Sequence, residues 1–365
     1  MIVGRRRRLG VALCAVSLVG AVAEAADRYV HRRSGLPPWQ VERVAATADE
    51  LIVSILDRGL VREARIPWDE VAAVDPDPQG RLEVGIESGL ALGDRIWRGV
   101  RRLQRGDARL ARLAFEQALE FDPRMPGPLS SAAIEGAVRS GIGLGEIDSV
   151  LVEAEVLGEL ALAGGRSDRF DGPAFDRSTI DESTSLVPEV PPVGEEVDPI
   201  ELRRRLRAMP ILCEASEARR DLWIRLIERA GPPDLPDRGL DRGTRFLLDL
   251  ARLDAADDRT RAAARARLLD DLDGSPAWRV AWVRWFAGSA QIAHAGDDTD
   301  AALLGTLDLV NVLALEDAAP PILRVASLRL AADTLTRLGR TEDAAIIESI
   351  FAFEHPDRIG TESSP

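Results

Sequence analysis

Residues 106–123 read GDARLARLAFEQALEFDP, and this stretch decides the expected fold. Gly106 is a turn residue at its start, and Pro123 closes it because proline cannot continue a helix. Between them, small and aromatic residues recur at helical spacing, at Ala111, Phe115 and Ala118. The pattern predicts a helix that follows a tight turn and packs closely against the helix before it.

This arrangement resembles the second helix of a tetratricopeptide repeat, a helical hairpin whose family usually holds another protein or peptide. In the preceding helix, Gly99 fits the small packing position of the family, but Arg98 and Arg102 replace its buried leucine and tyrosine. Residues 324–358 contain a second, partial match, in which Glu348 replaces the aromatic residue. Its matching residues are Leu328, Ala331, Ala332, Leu335, Gly339, Ala344 and Pro356. The two matches do not form a regular array, and two ordinary helical hairpins are the alternative.

Apolar residues recur at helical spacing along nearly the whole chain, so the expected fold class is all-α. The resemblance implies helical hairpins stacked as a short, irregular α-solenoid in two parts, over residues 82–163 and 200–358. Residues 27–81 are expected to form a tether and an amphipathic helix, the helix running from Trp39 to about Arg65. Residues 359–365 are expected to be a disordered tail.

Residues 164–199 are expected to link the two helical parts. They contain five prolines and nine acidic residues, and no apolar periodicity is sustained along them. Segments of this composition bury too little apolar surface to fold by themselves. The sequence therefore predicts a domain boundary here.

The first 26 residues have the pattern of a targeting segment. Arg5 to Arg8 form a charged start, residues 9–23 carry no charge, and Ala23 and Ala25 flank a small-x-small cleavage pattern. The uncharged run is shorter than the roughly 20 residues that span a bilayer. A signal peptide cleaved near Ala25 is expected, with a membrane anchor over residues 9–26 as the alternative. Either one places the protein outside the cytoplasm, as a periplasmic or secreted protein or as a membrane-tethered one.

Composition excludes several kinds of chemistry. The chain has no lysine, so P-loop NTPases, protein kinases and pyridoxal enzymes are excluded, because each needs one. The few cysteines and histidines show no metal-ligand spacing, so neither a metal site nor a cofactor is expected; they are Cys14, Cys213, His31, His294 and His355. The formal net charge of −14 argues against nucleic acid as a partner, and membrane contact is expected only through the N-terminal segment.

Two side-chain clusters could serve binding. Arg95, Arg98, Arg102 and Arg105 recur along one face of a helix, where guanidinium groups suit the carboxylates of an acidic peptide. A solvated helix face is the alternative for this arginine stripe. The second cluster is Trp278, Trp282 and Trp285, which lies on one face of a helix and is either a binding groove or part of the core.

The sequence therefore favours a binding protein over an enzyme. We expect an exported or membrane-tethered helical-repeat scaffold that holds another protein or peptide in the cell envelope. One alternative is an all-α, glycan-active enzyme that uses carboxylates, although this chain is only 4% aromatic and such clefts are usually rich in aromatic residues. The other alternative is an architectural subunit of an envelope assembly.

Overall fold

The computed structural model describes residues 28–57, 60–77, 79–121, 127–165, 169–170, 175, 178–194, 197–236, 238–315 and 318–354. The expected targeting segment, the expected tail, Pro123 and Pro356 lie outside these ranges. Within them, six short strands are followed by twelve α-helices. The prediction of a mostly helical chain is confirmed in this coarse form, although an antiparallel sheet region precedes the helices.

The strands form two three-stranded antiparallel sheets, with orders β2-β1-β6 and β3-β4-β5. Their bounds are β1 (Arg28–Arg32), β2 (Trp39–Val41), β3 (Arg43–Ala46), β4 (Glu50–Asp57), β5 (Leu60–Pro67) and β6 (Val71–Val74). A 3-10 helical turn, Trp68–Glu70, joins β5 to β6. The two sheets share one apolar core with the first helices.

The predicted amphipathic helix over residues 39–65 is wrong, because this stretch contains strands β2 to β5. In β4, Leu51 and Val53 are buried while Ile52 between them is partly exposed, which is the alternation of a strand. A dense run of Val, Ile and Leu fits both a period of 3.6 and a period of 2, so its spacing alone could not decide. Pairing in register, with Leu51 opposite Ile66 and Val53 opposite Ala64, buries these β-branched and aliphatic side chains.

Twelve α-helices follow the strands in the described part of the chain. Their bounds are α1 (Ile86–Gln104), α2 (Ala108–Phe121), α3 (Pro128–Leu144), α4 (Leu151–Leu162), α5 (Pro199–Ala208), α6 (Ser216–Glu228), α7 (Arg242–Ala251), α8 (Asp258–Asp270), α9 (Ala277–His294), α10 (Thr299–Leu313), α11 (Pro321–Arg337) and α12 (Thr341–Glu354). No helix within the described ranges combines the length and the apolar character that a membrane crossing requires.

Glycines let the first three helices approach their neighbours. Trp68 is fully buried against α1, where a Cβ at Gly89 would overlap its ring and one at Gly93 would overlap its backbone carbonyl. Phe115 of α2 is also fully buried, and a Cβ at Gly99 of α1 would lie 2.6 Å from its ring. The same ring meets Gly136 of α3. The α1–α2–α3 arrangement therefore depends on glycine at these contact points.

The predicted linker is wrong for residues 178–194, because this part packs into the larger core. Its buried residues are Ile180, Leu186, Val187, Val190 and Val193. Trp282 of α9 donates its indole N–H to the carbonyl of Pro188 (3.0 Å). Single apolar residues among acidic ones bury here without any regular period, so the pattern of the sequence did not reveal them. The larger core consequently runs from α3 through this segment to α12.

Candidate functional site

A groove of about 660 Å³ lies between α2, α3, α4 and α5. Its apolar lining is supplied mainly by α4, where Val152, Val156 and Leu160 recur at every fourth residue and form one stripe. Leu119 of α2 and Ile134 of α3 continue this surface, and Ala208, Met209 and Leu212 close it on the side of α5. Concave sites with mostly apolar linings are where proteins bind ligands most often.

A carboxylate of α4 interrupts the apolar wall. Glu153 of α4 lines the groove, and its Oε1 accepts a hydrogen bond from Arg205 of α5 (2.8 Å). Its second oxygen, Oε2, is shielded from water and meets no hydrogen-bond donor in the described part of the chain. Burial raises the pKa of Glu153, and the positive charge of Arg205 opposes that shift. The groove therefore holds an acceptor whose hydrogen-bonding capacity is only half used.

Ion pairs fix the rim. Arg112 of α2 pairs with Glu116 one turn later (2.7 Å) and with Glu146 beyond α3 (3.1 Å), and it also donates to Ser149 (2.8 Å). Arg204 of α5 is held by its own helix through Glu201. Because these arginines are engaged within the protein, the rim has a defined shape before any ligand arrives.

The arginine stripe does not line this groove. Arg98 is exposed and pairs with Asp94 one turn earlier (2.8 Å), while Arg102 donates to the backbone carbonyl of Leu110 at the start of α2 (2.9 Å). Arg95 is partly buried, and Arg105 is exposed at the end of α1. The stripe thus follows one helix, but Arg98 and Arg102 already have different partners within the chain.

The residues of the two predicted hairpins lie in α1–α2 and in α11–α12. Gly106 and Gly339 occupy the turns with φ of +78° and +74°, a conformation that favours glycine. Buried packing positions of the hairpins are Gly99, Ala111, Phe115, Ala118, Leu328, Ala331, Ala332, Leu335 and Ala344. Glu348, which replaces the aromatic residue of the second hairpin, is exposed on α12. A repeating tetratricopeptide stack is not established by these contacts and remains a proposal.

The tryptophan cluster belongs to the core. Trp282 is fully buried, and Trp278 and Trp285 are buried beside it on α9. The rings of Trp278 and Trp282 meet edge to face with centroids 5.4 Å apart, and Phe246 of α7 packs edge to face on Trp278 at 6.0 Å. These side chains are thus used in packing.

Two further glutamates of α4 are committed to internal ion pairs. Glu155 pairs with Arg219 of α6 (2.9 Å), and Glu159 pairs with Arg220 (2.5 Å). Burial raises the pKa of Glu155, against the attraction of Arg219. Glu153, the third charge in this otherwise apolar helix, is the one that lines the groove. A charged residue within so apolar a helix is the sequence signal that could have identified it.

Comparison with known proteins gives no relative: no family model, no curated protein and no solved structure matches this chain. Functional inference therefore depends on the side chains and surfaces described above.

Proposed function

We propose that this protein acts by binding, and that it holds a segment of another protein in the groove between α2, α3, α4 and α5. The observation that carries the proposal is the apolar stripe Val152, Val156 and Leu160 along a groove of about 660 Å³. Burial of an apolar side chain contributes roughly 1.5–3 kcal/mol when it is complete. A few such side chains from one peptide segment could supply a useful affinity.

The groove also favours a particular chemistry in its ligand. The ligand segment carries apolar side chains toward α4 and a hydrogen-bond donor near Glu153, whose Oε2 accepts no bond from the described residues. A donor that reaches this carboxylate supplies the missing partner and is worth roughly 1.5–3 kcal/mol, because the acceptor is charged. An apolar segment without a donor fits the apolar lining of the groove but leaves Oε2 of Glu153 without a hydrogen bond.

The targeting pattern of residues 1–26 supports a location outside the cytoplasm, in the periplasm or secreted, or tethered to the membrane. On this proposal the partner is a protein of the cell envelope, and the ion-paired rim orients its segment. The hairpins α1–α2 and α11–α12 then serve as the scaffold of a tetratricopeptide-like stack.

A peptide library displayed on phage tests the proposal. Peptides selected on the wild-type chain are expected to be rich in apolar residues and to lose binding when Leu212, in the groove lining, is changed to glutamate. Ile211→Glu is the matched control, because Ile211 is 58% exposed and does not line the groove. Glu153→Gln should weaken the selected peptides that carry a donor. Equal binding to the Leu212→Glu and Ile211→Glu variants would show that the groove is not the binding site.

A further inference from the structure

Among the residues that the structure describes, strand β5 is an edge of the sheet β3-β4-β5, because β4 is its one hydrogen-bonded neighbour there. The first four residues of β5 are exposed, and Leu60 and Val61 are 64% and 62% exposed. Edge strands of this length that carry apolar side chains in water are templates for pairing with another strand.

The direction of the unpaired backbone groups follows from the neighbouring ladder. Glu42 donates its backbone N–H to the carbonyl of Ser54 (2.9 Å), so the polar backbone groups of Ser54 face β3. Ser54 lies opposite Glu63 in the β4–β5 register. Since opposite residues exchange both of their bonds or neither, the N–H and C=O of Glu63 point away from β4. The backbone N–H and C=O groups of Val61 and Arg65, two residues to either side of Glu63, also point away from β4.

The charge pattern along β5 is self-complementary when two copies of the strand run antiparallel. Glu63 and Arg65 lie on the outer face of the sheet, with side chains 60% and 63% exposed, and Ala64 lies between them on the inner face. Their contact within the strand is loose, at 3.7 Å. A second β5 running antiparallel about a twofold axis at Ala64 would place each Glu63 opposite an Arg65.

From this we infer that β5 is a self-association surface, and that its partner is the β5 strand of a second copy of this chain, paired antiparallel and centred on Ala64. In that register Glu63 exchanges both backbone bonds with Arg65 of the partner subunit, and their side chains form a cross-strand ion pair on the outer face. The twofold axis repeats the pair. The β3-β4-β5 sheets of the two copies then form one six-stranded sheet.

Neighbouring registers are disfavoured by charge. A twofold axis at Arg62, at Glu63 or at Arg65 sets that residue opposite its own copy and places like charges together, which destabilises a sheet pair. An axis at Ala64 creates no such contact. Pro67 takes the outward-facing position opposite Val61 at the end of the ladder, where its carbonyl accepts the N–H of Val61 but it has no N–H to donate in return, so the doubly bonded pairs are those between Glu63 and Arg65.

Charge reversal tests the pairing, with the mass of the full chain measured by sedimentation equilibrium. The wild type is expected to be a dimer. Glu63→Arg and Arg65→Glu should each dissociate it, because each creates two like-charge contacts. The double variant, Glu63→Arg with Arg65→Glu, should dimerise again. Mixing the two single variants should give a heterodimer, since one then has two arginines and the other two glutamates at these positions.

Circular dichroism of each variant checks that the fold is retained, and the double variant guards against loss of folding in a single one. A monomeric wild type would overturn the inference. So would a dimer that persists in both single variants, because the contact between subunits would then lie elsewhere. None of residues 60–67 lines the groove between α2 and α5, so these changes leave its lining intact and the peptide-binding proposal stands or falls separately.

Discussion

Trp68 is the residue on which the N-terminal core is organised. It is fully buried, its indole N–H donates to the backbone carbonyl of Thr47 (2.9 Å), and α1 lies against it only because residues 89 and 93 are glycines. Contacts of this kind leave no room for even a methyl group, since interiors are close-packed.

Gly93→Ala is therefore expected to lower the free energy of unfolding by roughly 1–3 kcal/mol, the usual cost of overpacking. Gly143→Ala is the matched control in another helix, because a Cβ there would meet only the Cβ of Ala108 at 3.4 Å. That control should raise stability by roughly 0.5–1 kcal/mol, since alanine is favoured over glycine in a helix. Urea unfolding followed by tryptophan fluorescence measures both. A Gly93→Ala chain as stable as the control would mean that α1 does not rest on Trp68.

At this scale the sequence predicted the turn glycines Gly106 and Gly339 and the packing aromatic Phe115, because each has a local signature in the chain. Glu153 could not be found in that way. Its significance depends on which face of α4 borders a cavity, and that is settled by helices far apart in the sequence.

At the scale of elements, an ion pair ties β1 to the chain that leads into α1. Arg28 of β1 pairs with Glu83 through both terminal nitrogens of its guanidinium group, one of them at 2.6 Å from Oε2. The hydrogen bond from Arg28 holds the pKa of Glu83 below its ordinary value of 4.5. Because the folded-state pKa is lowered, this contribution to stability is present above pH 4.5 and is lost as the pH falls through the folded-state value.

Glu83→Gln should consequently be less stable than the wild type at neutral pH, and the difference should shrink as the pH is lowered past that range. Thermal melting across the acid range measures it, with Glu42→Gln as a control at an exposed position on the same part of the chain. A stability difference that does not change with pH would show that the ion pair is not its cause.

The segment of residues 178–194 gives a second prediction at this scale. The carbonyl of Thr184 lies so close to Gly243 of α7 that a Cβ there would overlap it, and Arg219 donates to the carbonyl of Ser185 (3.1 Å). A glutamate-specific protease should therefore leave the wild-type chain intact after Glu182 and Glu189. Gly243→Ala, which pushes the segment off α7, should expose both sites.

Gly143→Ala serves again as the control, and the cleavage sites are read by mass spectrometry. If the protease cut the folded wild type first after Glu182, residues 178–194 would be the linker that the sequence predicted. The sequence misread β2 to β5 because their dense aliphatic run fits both a helical and a strand period, and it misread residues 178–194 for a different reason. Periodicity reports elements that bury one regular face, whereas here burial is set by tertiary contacts such as those of Trp282 and Arg219.

At the scale of the whole molecule, the helical spacing of apolar residues predicted helices, and the described chain is mostly helical after β6. The binding surface was expected on the arginine stripe of α1, but the groove lies on the other elements α2 to α5. The difference arises because α3 packs on the first hairpin through contacts such as Phe115 with Gly136, and α4 packs in turn on α3, an arrangement that no single segment encodes. Peptide binding is thus proposed for a surface assembled from distant parts of the chain.

Hydrogen–deuterium exchange of the full chain, with and without a peptide selected on it, tests that claim most directly. We expect the peptide to slow exchange in the groove-lining parts of α2, α4 and α5, and to leave α1 unchanged. Slower exchange along α1 with none at the groove would place the ligand on the arginine stripe and would contradict the account.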